Sequence, residues 1–185
     1  MTDRAPSGAR QLWILRHAKA ADAPRGGRDR DRPLTTRGRR DAESLGDGLV
    51  GDGSPFTAQG FLRPDVAVCS SAVRTVETAD LVLSRLSEPV HLDSYASMYD
   101  AEPDTVLMYL REVEEGARSV LVVGHNPTMF HLTWDLLPEG SADRIRLEAG
   151  GFPTCALAVV DVGFDRWEDV VGGQGRLVGL FSPPY

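Results

Sequence analysis

The chain has 185 residues, of which 42% are hydrophobic and 25% are charged, so its composition suits a globular protein with a single core. No apolar run reaches the roughly 18 to 20 residues that a membrane helix needs. The first ten residues contain three charged side chains and no apolar signal segment. We therefore expect a cytoplasmic protein, with a flexible N-terminus over residues 1–10 and one domain over residues 11–185.

Charge is distributed unevenly along the chain. The formal net charge of −7 argues against general nucleic-acid binding. Residues 10–40 nevertheless hold ten basic side chains against three acidic ones, among them Lys19, the one lysine of the chain. Such a basic segment in an acidic protein suggests a local anion site, although a solvated arginine-rich loop would have the same composition.

The N-terminal half predicts two strand–helix units. An apolar run over residues 11–16 predicts a buried strand, and a loop over residues 18–33 follows it. Apolar or small residues then recur every three or four positions, which predicts an amphipathic helix over residues 35–50. After a loop over residues 51–64, which is the one sizeable insertion, residues 65–69 predict a second buried strand.

The alternation continues to the end of the chain. Ser71 is expected to cap a helix that carries apolar positions from Val73 to Leu86. Further strands are predicted over residues 90–92, 119–123, 155–161 and 176–181, and further helices begin at Pro103 and after Pro127. Cys69 and Cys155 fall in strands and have no metal-site spacing, so they are expected to be core residues in a reducing compartment.

Strands that alternate with helices predict an α/β fold, a three-layer α/β/α sandwich with a mostly parallel central sheet. Ligands of such sheets bind at the carboxyl ends of the strands. Unusual polar residues follow three of the predicted strands: Arg16-His17, Ser70-Ser71 with Arg74, and Gly124-His125-Asn126. These three groups are therefore expected to meet at one site.

Two arginines and two histidines suit the chemistry of a phosphoryl group. Arginine binds phosphate oxygens in pairs, and a neutral imidazole can attack phosphorus to give a phosphohistidine. The dipeptide Asn126-Pro127 predicts a helix N-terminus beside His125, which would add free N–H donors. No cluster of His, Asp and Glu has the spacing of metal ligands.

These motifs resemble those of the histidine phosphatase superfamily, which includes the phosphoglycerate mutases. Three segments are most similar to the small SixA-type phosphohistidine phosphatases: RHAKA at residues 16–20, DRPLT at residues 31–35 and MYDA at residues 98–101. The resemblance covers roughly residues 11–137. It implies a phosphoglycerate mutase-like fold and a phosphatase that needs neither metal nor cofactor.

The resemblance also implies a role for each residue of the constellation. His17 would be the nucleophile that is transiently phosphorylated, Arg16 and Arg74 would bind the phosphate, and His125 would be a further phosphate ligand. Four other side chains are expected at the pocket rim: Lys19, Arg32, Arg37 and Asn126.

This sequence departs from the larger enzymes of the superfamily where they carry a glutamate general acid. Asp100 and Glu102 are the candidate acids that remain in that region. An alkoxide leaving group needs a proton in the transition state, whereas a protonated phosphohistidine ring departs as neutral imidazole. The expected substrate is therefore a phosphorylated one, most of all phosphohistidine in a protein, and the expected partners include neither nucleic acid nor membrane.

Three other functions are consistent with the same motifs. A small-molecule phosphomonoesterase would use the same residues, and a mutase-type phosphotransferase would need a protected phosphoenzyme and an acid. A catalytically silent module that binds phosphorylated partners would have no chemical need for the nucleophile, so the presence of both histidines and both arginines argues against it.

Overall fold

A computed structural model of the chain describes residues 10–50 and 60–185. The strands are β1 (Arg10–Arg16), β2 (Val66–Ser70), β3 (His91–Tyr95), β4 (Ser119–Gly124), β5 (Leu157–Val162) and β6 (Gly175–Phe181). The α-helices are α1 (Thr36–Val50), α2 (Val73–Leu83), α3 (Pro103–Arg111), α4 (Thr128–Leu136) and α5 (Ala142–Gly150), and short 3₁₀ turns lie at Asp29–Asp31, Ala96–Met98 and Trp167–Asp169. None of the helices in these two ranges is long and apolar enough to cross a membrane.

The six strands form one sheet in the order β3-β2-β4-β1-β5-β6. β3, β2, β4 and β1 are parallel, while β5 and β6 are antiparallel to their neighbours. The mostly parallel sheet that the sequence predicts is therefore confirmed. Arg16 is paired with Gly124 and Cys69 with Val123, so the carboxyl ends of β1, β2 and β4 lie side by side.

Helices cover both faces of this sheet. Successive strand residues point to opposite faces. Leu12 and Ile14 accordingly pack with the buried side chains of α3, α4 and α5, and Trp13 and Leu15 pack with those of α1 and α2. The result is the predicted three-layer α/β/α sandwich, with its central strands protected from water on both faces.

The N-terminus of α2 differs from the prediction. The N-cap residue is Ala72, and no side chain caps the helix, so the predicted cap at Ser71 is wrong. The neighbouring hydroxyls bind this turn instead: Ser70 Oγ accepts a hydrogen bond from the Ala72 N–H at 3.3 Å, and Thr75 Oγ1 donates to the Ala72 carbonyl. These bonds fix the first turn of α2 without the predicted serine.

Three other elements go beyond what the sequence predicts. The edge strand β3 runs to Tyr95, three residues beyond the predicted end, and α5 was not predicted at all. β1 begins at Arg10, whose guanidinium binds the Ala117 and Asp165 carbonyls. Residues 1–9 and 51–59 lie outside the described residues, so the flexible N-terminus and most of the insertion loop stay predictions.

Helix α1 packs closely on the segment that follows His17. The Thr35 N–H and hydroxyl both donate to the Lys19 carbonyl, at 2.9 and 3.0 Å. A Cβ placed on Gly38 would lie 2.2 Å from that carbonyl oxygen, which is closer than atoms can approach. Glycine at this position therefore allows the helix to contact the main chain two residues after His17.

Gly38→Ala should destabilise the protein by about 1 to 3 kcal/mol, because the clash with main chain exceeds the ~1 kcal/mol that alanine gains in a helix. Urea denaturation measures the change. Gly116→Ala is the matched control, since a Cβ there meets nothing within 4 Å. An unfolding curve of Gly38→Ala that superimposes on the wild-type curve would contradict the close contact.

Candidate active site

The carboxyl ends of three strands bring two histidines and an arginine together. The His17 N–H donates to the Gly124 carbonyl at 3.0 Å, which places His17 beside His125, and the two ring centroids are 5.1 Å apart. Arg74 lies in the first turn of α2, and its Nη2 is 3.3 Å from Nδ1 of His125. The expected meeting of the three sequence motifs is thus present in the structure.

The ring of His17 has a defined tautomer. Its Nδ1 lies 2.7 Å from the Ala18 carbonyl oxygen. Because a carbonyl only accepts, Nδ1 carries the proton and Nε2 keeps a free lone pair. The pKa of His17 is lowered to about 4, chiefly by burial; the nearby cations Arg74 and Arg16 act in the same direction, and the Ala18 bond opposes them. The ring is therefore neutral at pH 7, with Nε2 able to act as a nucleophile.

His125 is buried, and both of its ring nitrogens have partners. A guanidinium only donates, so Nδ1 accepts from Arg74, and Nε2 donates to Ser70 Oγ at 2.9 Å. Burial lowers the pKa of His125 to about 3, with smaller contributions from His17 and Arg74. Ser70, the last residue of β2, thus orients this histidine, a role that the sequence analysis did not assign to it.

Arg16 and Asn126 share one acceptor. Arg16 Nη1 donates to the Phe152 carbonyl at 2.8 Å, and Asn126 Nδ2 donates to the same oxygen at 2.9 Å. The other terminal nitrogen of Arg16 has no protein acceptor within the described parts of the chain, so it is available to an oxyanion. Asn126, which the sequence places at the pocket rim, helps to hold the Phe152 carbonyl against Arg16.

Two residues that the sequence analysis did not single out complete the surroundings of Arg74. Arg74 Nη1 donates to the Asp29 main-chain carbonyl at 2.9 Å, and Nη2 lies 3.1 Å from Asp29 Oδ2. The Tyr99 hydroxyl donates to the same Oδ2, and the Tyr99 ring centroid lies 5.4 Å from that of His125. Tyr99 belongs to the MYDA segment at residues 98–101, which was the available sequence signal for it.

Asp29 is ionised at pH 7. The hydrogen bond from Tyr99 and that from Arg32, at 3.0 Å, lower its pKa to about 2, and the charge of Arg74 acts in the same direction. An ionised carboxylate has no proton to give. Asp29 therefore cannot be the general acid that the sequence lacks, although it lies beside the site.

The remaining candidate residues lie at varying distances from this centre. Arg32 reaches Asp29, whereas Arg37 pairs with Asp41 on the surface of α1 at 3.5 Å. The Lys19 side chain is exposed. Asp100 and Glu102 are exposed too, and neither carboxylate contacts Arg16, His17, Arg74 or His125 in the hydrogen bonds and ion pairs of the described residues. The structure thus brings Arg32 to the site but not Arg37, Asp100 or Glu102.

The two cysteines are buried and unpaired, as expected, and burial raises the pKa of both thiols to about 12. No group of three or more His, Cys, Asp or Glu side chains within residues 10–50 and 60–185 is arranged to hold a metal ion. The ionisable groups of the site are two neutral imidazoles, the guanidinium groups of Arg16, Arg32 and Arg74, and the Asp29 carboxylate.

Comparison with known proteins agrees with this geometry. The model of the histidine phosphatase superfamily (branch 1) matches residues 12–95. Rv1276c, an uncharacterized protein of Mycobacterium tuberculosis, is 36% identical over an alignment of 177 residues, which covers 91% of this chain and 99% of the relative. The chain belongs to the histidine phosphatase superfamily.

Solved structures of this superfamily share the whole fold. A protein of Nakamurella multipartitia assigned as the phosphohistidine phosphatase SixA superimposes with a TM-score of 0.81 at 29% identity, covering 97% of this chain and 99% of its own. The protein histidine phosphatase SixA complexed with tungstate gives 0.71 at 27% identity, over 94% of this chain and 97% of its own. The chain therefore has the phosphoglycerate mutase-like fold of these structures, and its family supports a phosphatase activity.

The neutral state of the two site histidines can be tested by NMR. In a His91→Asn/His131→Asn variant, which removes the two exposed histidines, the ring protons of His17 and His125 should titrate near pH 4 and pH 3, below the ordinary 6.5. The unfolded chain binds these protons at higher pH than the folded one, so stability should be full above pH 6.5 and fall as the pH drops toward 4. A midpoint near 6.5 for either ring would contradict this account.

Proposed function

We propose that this histidine phosphatase hydrolyses phosphohistidine in proteins through a phosphorylated intermediate on His17. The observation that carries the proposal is the state of His17, a neutral imidazole whose Nδ1 proton is bound by the Ala18 carbonyl while Nε2 is free. Cationic groups lie close to it, since both Arg74 and Arg16 act on its charge. A nucleophile beside fixed cations is what attack on a phosphoryl dianion requires.

In the first step, Nε2 of His17 attacks phosphorus opposite the leaving group. The new P–N bond forms as the P–N bond of the substrate breaks, and the electron pair of that bond goes to the departing ring nitrogen. Arg16 and Arg74 offset the negative charge on the nonbridging oxygens. When the substrate ring is already protonated at its other nitrogen, it departs as neutral imidazole, and no proton from the protein is needed.

In the second step, water attacks the phosphorus of phosphorylated His17. The P–N bond breaks, its electron pair returns to Nε2, and the released phosphate and solvent take the protons of the water. His125 lies 5.1 Å from His17 between ring centroids, within reach of the same phosphoryl group. Its one N–H is bound by Ser70 and its Nδ1 accepts from Arg74, so the neutral ring acts on the phosphoryl group by orienting the Arg74 guanidinium.

The substrate assignment depends on what the site can supply to a leaving group. Asp29 is ionised, and Asp100 and Glu102 make no contact with the four residues of the site. Within residues 10–50 and 60–185, no carboxyl group is therefore placed to protonate a leaving group. A phosphoramidate, like other activated phosphoryl donors, does not need one. The structural neighbour named as a protein histidine phosphatase was solved with tungstate, a tetrahedral oxyanion like phosphate, and this supports the same assignment.

Phosphate release from three substrates tests the proposal: a phosphohistidine peptide, p-nitrophenyl phosphate and 3-phosphoglycerate, each with a chelator present. Wild type should prefer the phosphohistidine peptide. His17→Ala should lose activity by roughly 10³-fold or more, because the nucleophile is gone. Mass spectrometry of rapidly quenched wild type should detect one added phosphoryl group on His17.

His91→Ala is the control, because His91 is exposed at the opposite end of the parallel strands. It should retain wild-type rates. A preference for 3-phosphoglycerate would keep the nucleophile and change the function to phosphomonoester hydrolysis. Equal activity of wild type and His17→Ala would remove His17 from the mechanism.

A further inference from the structure

The Asp29 carboxylate lies on the solvent side of Arg74. Asp29 Oδ2 is 3.1 Å from Arg74 Nη2, yet the Asp29 side chain is 52% exposed and the Arg74 side chain only 8%. The guanidinium that is expected to bind the phosphoryl group therefore has a fixed negative charge at its outer edge. A leaving group carried by a protein must enter from solvent, so it would lie on the side of Arg74 that Asp29 occupies.

The position of this carboxylate is held from several sides. Its Oδ1 accepts from Arg32, its Oδ2 accepts from Tyr99, and its main-chain carbonyl accepts from Arg74. Arg30 also lies at this rim, with its guanidinium carbon 5.3 Å from the Tyr99 ring centroid. The guanidinium groups of Arg30, Arg32 and Arg74 would thus favour any anionic substrate at this rim. The negative charge of Asp29 opposes that preference.

We propose that Asp29 is a specificity-determining residue that favours phosphorylated substrates with a neutral or cationic leaving group and disfavours those whose leaving group is anionic. Protonated phosphohistidine belongs to the first class, and 3-phosphoglycerate, which carries a carboxylate, belongs to the second. This inference rests on the proposed function and extends it from the reaction to the choice of substrate. A like charge a few ångströms from the leaving group changes binding several-fold at the effective dielectric of a protein surface.

Asp29→Asn tests the role of the charge. The amide keeps an oxygen that can accept from Arg74, while the negative charge is removed. The ratio of kcat/KM for 3-phosphoglycerate to kcat/KM for the phosphohistidine peptide should rise about tenfold, and the rise should shrink in high salt. Inorganic phosphate, used as a competitive inhibitor, should bind about three to ten times more tightly.

Two control variants separate charge from position. Asp31→Asn removes a carboxylate of the same turn that binds Arg28 and, among the described residues, makes no hydrogen bond or ion pair with Arg74, so the substrate ratio should stay unchanged. Tyr99→Phe removes the hydrogen bond to Asp29 but keeps its charge, so the ratio should again stay near the wild-type value. Where wild-type turnover of 3-phosphoglycerate is too slow, its inhibition constant against the phosphohistidine peptide replaces kcat/KM in the ratio.

The proposal is overturned when Asp29→Asn changes both substrates by the same factor, which would make Asp29 only a support for Arg74. It is also overturned when Tyr99→Phe shifts the ratio as much as Asp29→Asn does. Failure of the proposed function has a different signature, since His17→Ala would then keep its activity or wild type would not act on phosphohistidine. The affinity for inorganic phosphate still reports the charge effect of Asp29 in that case.

Discussion

The site depends above all on the parallel pairing of β4 with β1 on one side and β2 on the other. A parallel register aligns the carboxyl ends of neighbouring strands, and here Arg16 is opposite Gly124 and Cys69 is opposite Val123. A shift of one residue would turn the side chains of a strand to the other face. Because alternate residues are buried under different helices, the two-sided core prevents that shift and so fixes the separation of His17 and His125.

The same packing sets the electrostatics. Burial alone would make a cluster of cations unfavourable, and the site avoids this by keeping both imidazoles neutral and leaving positive charge to the two arginines. Each histidine then serves through a lone pair or a fixed N–H rather than through charge. The Ala18 carbonyl and the Arg74 guanidinium decide which nitrogen carries the proton, because the first only accepts and the second only donates.

The sequence was sufficient for the features that depend on local pattern. Apolar runs located the central strands, and the polar residues after them located the site. Helix α5 was missed because it buries Leu147 alone and leaves Ile145 67% exposed, so it has almost no apolar period. Asp29 could not be assigned either, since it meets Arg74 45 residues later in the chain and Tyr99 70 residues later, through contacts that only the folded chain creates.

Two features of the site bear on the substrate by different physical routes. One is chemical: among the described residues, the carboxylate that contacts Arg74 is Asp29, and Tyr99 and Arg32 hold it in its ionised form. The other is electrostatic, since that same charge repels an anionic leaving group. A single residue thus has both effects, because the hydrogen bonds that keep Asp29 from donating a proton also keep its negative charge at the rim. Protonated phosphohistidine meets both conditions at once, whereas a phosphoester of an acidic metabolite meets neither.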